Sequence, residues 1–346
     1  MTGLPAKGGR LRCRPFFLLL LLMANTLTAD PVVIAHRGAS GYLPEHTLAA
    51  KAAAHVMGAD FIEQDVVLSR DGIPLVLHDI YLDNTTDVEQ RFPGRARADG
   101  RYYALDFDLD EIRQLSAHER TETGAAGKGL ASFPERFPVN ASLFTVPTLA
   151  EEIDLISGMD RSRGRSTGLY VEFKAPNWHR SQGHDLVAAV MAVLKEKGYD
   201  KRPEQVFLQC FDDSTLRYLR HEFKTQLPLI QLIGENDWSE DSAVDYDYLR
   251  TPEGLADIAS YADGIGPWIQ QIYLGRDKAG KARLSELVSH AQARGLLVHP
   301  YTFRSDQLPE GIDDFDTLLE IFIEQAGVDG LFTDFPDQVR DYLHRR

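Results

Sequence analysis

Cysteine is nearly absent from this chain. Only Cys13 and Cys210 occur among its 346 residues, and Cys13 falls in a leader that is expected to be removed. The mature chain can therefore form no internal disulfide, and a protein of this size can stabilise itself through its core without one. Positive charge is also scarce: 37 Lys and Arg stand against 52 Asp and Glu, for a net charge of −15. That balance excludes binding of nucleic acid or anionic lipid by bulk attraction. An anionic ligand must instead be met by local positive charge or by a metal ion. No internal repeat and no low-complexity segment stand out.

A long apolar run is missing too. The one at the start, over 16–23, is too short to anchor in a bilayer, which takes about 20 residues. It follows Lys7, Arg10, Arg12 and Arg14 and precedes small or polar residues up to Ala29. That order is the layout of a cleavable secretory signal peptide. Residues 1–29 are thus expected to be lost, leaving no membrane anchor and placing the mature chain in the periplasm. Cleavage takes four positive and no negative charges with it, so the net charge falls to −19.

What is present is an alternation. Short apolar runs predict strands at 32–35, 60–67, 74–78, 169–174, 206–211, 228–233, 262–265, 295–301 and 329–333. Amphipathic stretches predict helices at 47–57, 148–157, 184–198, 212–224, 284–294 and 315–326, with Thr148 and Glu151 spaced as a capping box. Nine strands are one too many for a barrel. Asp71-Gly72 is a strong hairpin signal, making 74–78 an antiparallel return of the second strand. The remaining eight predict a (β/α)8 TIM barrel over 30–346. Residues 82–147 hold no convincing barrel strand and are too long for an ordinary loop. Tyr102, Tyr103, Leu105, Phe107 and Leu109 favour a small insertion domain there over a disordered loop.

Barrel chemistry sits at the C-terminal strand ends. The first strand ends in His36 and Arg37. Glu63 and Asp65 share a face of the second strand, and Glu172 and Lys174 share a face of the third. A two-residue turn at Asp71-Gly72 sets Asp65 opposite His78, whereas a three-residue turn shifts the pairing by one. Each pattern alone has a plain explanation: a surface carboxylate pair, a same-face salt bridge, an His-Asp turn start. Together they bring three carboxylates, two imidazoles and two cations to one rim. Glu63 and Asp65 repel each other unless a cation sits between them or one is protonated. Hard oxygen ligands, with no Cys set and no HExxH spacing, favour Ca²⁺ or Mg²⁺ over Zn²⁺. An ion beside Arg37 and Lys174 suits a phosphate ester, with His36 and His78 as base and acid. Trp268 and Phe335 follow strand ends and could wall a small pocket, and His299 could line it. His46 and His55 are expected to be structural or exposed. None of the seven site residues falls in 82–147, so the insertion is expected to shape the entrance rather than supply chemistry.

The stretches AHRGASGYLPEHT, IEQDVVLSRDG, LVLHD, VEFK, LQCF, YADGIGP, VHPYT and GLFTDFP resemble the glycerophosphodiester phosphodiesterase family, above all its periplasmic bacterial branch. The resemblance spans nearly the whole mature chain and implies a (β/α)8 fold that hydrolyses glycerophosphodiesters to glycerol 3-phosphate and an alcohol. It implies His36 and His78 as the catalytic histidines and Glu63, Asp65 and Glu172 as metal ligands. Arg37 and Lys174 become the phosphate-contacting cations, and Ca²⁺ the ion associated with periplasmic members. The partners implied are small-molecule glycerophosphodiesters; a homodimer is the one protein partner entertained. Many relatives have Asn where this chain has His46. An exported binding protein that keeps the fold without turnover is the alternative, although a pure binder has no need of both histidines.

Overall fold

The computed structural model describes residues 1–3, 30–122, 129–139, 143–238 and 241–346. The expected leader, apart from its first three residues, lies outside them. Pro31–Arg346 form one compact unit. Its strands are β1 (Val32–Ala35), β2 (Phe61–Leu68), β3 (Pro74–Val76), β4 (Gly168–Phe173), β5 (Val206–Cys210), β6 (Leu229–Ile233), β7 (Gly264–Pro267), β8 (Tyr273–Arg276), β9 (Ala282–Leu284), β10 (Leu297–Val298) and β11 (Gly330–Thr333). Eight of them run parallel in the order β10-β7-β6-β5-β4-β2-β1-β11. The Asp329 amide donates to Val298 O at 3.1 Å and the Phe332 amide to Pro300 O at 3.0 Å, which closes the circle. The fold is a (β/α)8 barrel.

Its interior is layered because side chains two apart on a strand share a face. Phe61, Tyr170, Phe207 and Phe332 form a lower apolar layer with Ile34 and Ile230. Two residues further along the strands come Glu63, Glu172 and Gln209. Parallel register sets Asp65 beside Glu172 and Glu172 beside Gln209, so these polar groups share one level near the rim. His299 belongs to the lower layer: it is buried, bonds Tyr170 at 2.9 Å and meets the edge of Phe207. It is not a lining residue of the cavity above.

Two strand expectations change. β3 does return antiparallel to β2, but through a three-residue turn. Ser69 and Ile73 close it at 3.1 Å, and Gly72 takes a φ of +78°, a conformation that glycine adopts without strain. Val66 therefore faces Val76, and the Leu77 amide bonds Asp65 O. Asp65 is opposite Leu77, not His78, and Leu75 is opposite Val67. The seventh barrel strand, expected over 295–301, is regular only at Leu297–Val298. Pro300 has no amide to donate, although single bonds such as Tyr301 N to Pro267 O continue the pairing. The hairpin β8–β9 had no counterpart in the expected pattern.

The β2–β3 hairpin rises above the rim and carries the insertion. Val67, Leu75 and Leu77 bury against Leu82, Val88, Phe107, Ile112 and Val146, a small core distinct from that between barrel and helices. The Thr148–Glu151 capping box then starts the helix Leu149–Arg163.

Candidate active site

The first strand ends in a tight loop because two glycines allow it. Gly38 has a φ of +92°, and a Cβ there would come within 2.8 Å of the Ala50 backbone; at Gly41 it would meet the Phe335 ring at 2.3 Å. The loop thus packs directly on the first helix, Leu48–Met57, which Thr47 caps. Arg37 and His46 both take left-handed backbone conformations. The result aims His36 and Arg37 back over the barrel.

A cavity of about 250 Å³ opens at this end. His36, Arg37, Glu63, Asp65, His78, Glu172 and Lys174 all line it, so the seven residues expected to converge do so. Phe211, Leu232, Trp238, Trp268 and Tyr301 supply its apolar side. Trp268 is therefore a wall, edge-on to Trp238 with centroids 5.1 Å apart. Phe335 is not among the lining residues. The chain turns after Thr333, and the ring packs instead on Gly41 and Tyr42.

Glu63, Asp65 and Glu172 are buried, with one oxygen from each within 4.8 Å of the others. The Arg37 amide donates to Glu63 Oε2 at 2.8 Å and Gln209 Nε2 to Glu63 Oε1 at 2.9 Å. Lys174 Nζ lies 2.8 Å from Glu172 Oε1. Burial, with Asp65 and Glu172 nearby, pushes Glu63 well above the usual carboxylate range. Asp65 is also driven upward by burial, but His46, His78 and Arg37 together hold it well below that range. Among the described residues, Asp65 Oδ1 is buried without a hydrogen-bond partner. A triad of hard oxygens with one such atom fits a divalent cation.

Each imidazole is gripped from behind by a carboxylate. His36 Nδ1 is 2.6 Å from Asp334 Oδ1, and His78 Nδ1 is 2.7 Å from Asp79 Oδ1. An ionised carboxylate only accepts, so Nδ1 carries the proton in both rings and Nε2 is left for the cavity. His78 Nε2 faces Lys174 Nζ at 3.5 Å, and His36 Nε2 lies 3.9 Å from Glu63 Oε2. Burial and then Arg37 lower His36 to about 4; burial, Arg37 and Lys174 lower His78 to about 3. Both rings are therefore neutral near pH 7.

Several contributors escaped the sequence pattern. His46 is neither exposed nor remote: it is buried, and its Nε2 is 2.8 Å from Asp65 Oδ2. His55 is buried as well and pairs with Asp160 at 2.8 Å, a structural role. Asp79, Asp334 and Gln209 sit inside the stretches LVLHD, GLFTDFP and LQCF, yet nothing local announces their partners. Arg120 and Arg136 come from the insertion. The first bonds Glu45 and Asp79, the second Asp334.

A barrel rim that gathers two oriented imidazoles, a carboxylate triad and paired cations defines a phosphate-ester hydrolase. Residues 36–338 match the model of the glycerophosphoryl diester phosphodiesterase family. The chain is 41% identical over 336 residues to the glycerophosphodiester phosphodiesterase of Haemophilus influenzae, covering 93% of this chain and 92% of that one. It is 36% identical to that of Treponema pallidum, covering 89% and 90%. Among solved structures, a Silicibacter pomeroyi glycerophosphoryl diester phosphodiesterase aligns with a TM-score of 0.68 at 25% identity, covering 92% and 94%. An Oleispira antarctica phosphodiesterase, solved in complex with the product sn-glycerol-3-phosphate, shares the fold at 24% identity with a TM-score of 0.59, covering 91% and 97%. This chain belongs to the glycerophosphoryl diester phosphodiesterase family, and it is a phosphodiesterase.

Proposed function

We propose that the protein hydrolyses glycerophosphodiesters, the deacylated forms of phospholipids, to sn-glycerol 3-phosphate and an alcohol. The observation that carries this reading is the pair of imidazoles, each held at Nδ1 by a carboxylate and each presenting Nε2 to a cavity floored by three acidic side chains. Glu63, Asp65 and Glu172 hold a divalent cation, Ca²⁺ ahead of Mg²⁺, which supplies Lewis-acid stabilisation of charge on the phosphate oxygens. Arg37 and Lys174 bind and orient the phosphodiester. Its negative charge, arriving between two neutral imidazoles, favours protonation of one of them. The neutral ring accepts the nucleophile's proton at Nε2, and the protonated ring gives one from Nε2 to the leaving alkoxide, so the pair exchanges its roles at each displacement. The nucleophile is water, or the substrate's own 2-hydroxyl followed by water opening a cyclic phosphate. Trp238, Trp268 and Phe211 exclude water from one side.

The test is release of glycerol 3-phosphate from glycerophosphocholine and glycerophosphoethanolamine with Ca²⁺ present. Binding of both without release would favour the alternative, an exported binding protein that has lost turnover. The leader pattern further supports export to the periplasm. N-terminal sequencing of active protein should start at or near Asp30, and an intact Met1 on active cytoplasmic protein would overturn that placement.

A further inference from the structure

We infer that the insertion is part of the catalytic apparatus, with Arg120 and Arg136 as positioning residues for the two histidines. The inference rests on the acid–base reading of His36 and His78.

Asp79 holds His78 with Oδ1 and must be held in turn through Oδ2. Both donors to that oxygen come from the insertion: Arg120 Nη1 at 2.7 Å and Asn84 Nδ2 at 2.5 Å. Arg120 also grips Glu45 with two nitrogens, at 2.6 and 2.9 Å, and Glu45 accepts from Arg37 Nη1 at 3.0 Å. A single guanidinium thus joins the support of His78 to the support of the phosphate-binding cation. Its planar fork suits that task, since it fixes the planes of two carboxylates at once.

The other histidine has a parallel arrangement. Asp334 faces His36 with Oδ1, while Oδ2 accepts from Arg136 Nη2 and Arg304 Nε, each at 2.8 Å. Arg136 is fixed by Asp306 at 2.7 and 3.0 Å and lies over the Phe133 ring at 3.7 Å. Here one brace comes from the insertion and one from the barrel. Asp334 is buried and Asp79 largely so, and a carboxylate in such a place stripped of its cation loses both its compensation and its fixed plane. The ring behind it would then lose the orientation that aims Nε2 at the substrate. Asp79 is braced by one cation and a neutral amide and Asp334 by two cations, so the two sites should differ in sensitivity to loss of a single arginine.

Arg120→Met, Arg136→Met and Arg304→Met are compared for kcat, KM, Ca²⁺ affinity by calorimetry and thermal unfolding, with glycerophosphocholine as substrate. Arg120→Met should lower kcat by on the order of 10 to 100-fold, the range for losing a side chain that orients an active-site ligand, while Ca²⁺ affinity is kept. Arg136→Met should cost less, and only its combination with Arg304→Met should match Arg120→Met. In a His78→Ala background, Arg120→Met should have little further effect on kcat, because effects that pass through one group are not additive, while the loss that passes through Glu45 to Arg37 should remain in KM. Where the Met variant fails to fold, Arg120→Lys replaces it in the same comparison: it keeps a cation but cannot span both carboxylates, and should lose kcat in the parent and not in His78→Ala. A folded variant with near-parental kcat, or an equal loss of kcat in both backgrounds, overturns the inference. If His78→Ala itself keeps full kcat, the acid–base reading fails; if it is inactive while Arg120→Met is unaffected, only the role of the insertion fails.

Discussion

His46 Nε2 lies 2.8 Å from Asp65 Oδ2, while Lys51 Nζ sits 3.1 Å from the other ring nitrogen. The lysine can only donate, so Nδ1 accepts and Nε2 carries the proton to Asp65. One carboxylate oxygen is thereby committed, and Oδ1 is left buried without a hydrogen-bond partner. His46→Ala should weaken Ca²⁺ binding by on the order of 10 to 100-fold, the usual cost of losing an outer-shell partner. His46→Asn should recover only part of it: Asn tolerates the φ of +60° at this position, but its amide nitrogen falls nearer the place of Nδ1 than that of Nε2. Calorimetric titration with Ca²⁺ measures both, and unchanged affinity in the Ala variant would count against this role.

Removal of divalent cations should abolish turnover and lower stability together. Three buried carboxylates within 4.8 Å repel one another, and in the ion's absence Glu63 is driven toward its protonated form by burial and by its two neighbours. An ion that binds only the folded chain stabilises it by about 2.7 kcal/mol at a hundred times its dissociation constant. Thermal unfolding with and without Ca²⁺ after chelation reads this directly. Glu63→Gln fixes that side chain in a neutral form like the one the metal-free parent favours, so the metal-free variant should be no less stable than the metal-free parent, and its response to Ca²⁺ should shrink. A parent whose melting temperature and activity ignore chelation would remove the ion from the site.

His36→Ala and His78→Ala should each lower kcat by on the order of 10² to 10⁴-fold, the contribution expected of a positioned acid or base. KM should move far less, since Arg37 and Lys174 stay in place. Steady-state assays with glycerophosphocholine decide it. Parental kcat in either variant would leave that ring without a chemical role.

The strand-level pattern carried most of the site. Period-two placement on β2 and β4 is enough to bring Glu63, Asp65, Glu172 and Lys174 to one cavity, because inside a barrel one face of every strand has a single destination. His78 shows the limit of that logic. The pairing expected of it does not exist, since Ser69 closes a three-residue turn, yet it reaches the cavity because the chain bends inward once β3 ends. Phe335 fails for a related reason: beyond the last paired residue, a strand's alternation no longer predicts direction. The braces were illegible for a different cause. Asp334 meets His36 across 298 residues and Arg120 meets Asp79 across 41, and neither contact leaves a periodic trace. An insertion judged by its lack of site residues looked like an entrance, whereas two of its arginines stand directly behind the carboxylates that hold the histidines.

Two histidines away from the triad give the fold a dependence on pH. His179 donates from Nδ1 to Ala175 O at 2.8 Å and accepts at Nε2 from the Leu68 amide at 3.1 Å, so it can keep both bonds only when neutral. Burial lowers it to about 4 and lowers His299, in the aromatic layer, to about 3. In the unfolded chain both should titrate near 6.5. Between those values the unfolded state binds more protons, so the stability these groups contribute is complete above about pH 6.5 and is lost as the pH falls toward 4. Each such proton makes a slope of up to about 1.4 kcal/mol per pH unit. Urea unfolding in the presence of chelator, at fixed ionic strength and at steps from about pH 7.5 to 4.5, should show midpoints that fall with acidity. His179→Gln preserves a donor and an acceptor without titrating, so its midpoint should fall less steeply over the same interval. A His179→Gln variant with the parent's slope would show that His179 is not among the groups that acid must protonate to open the barrel.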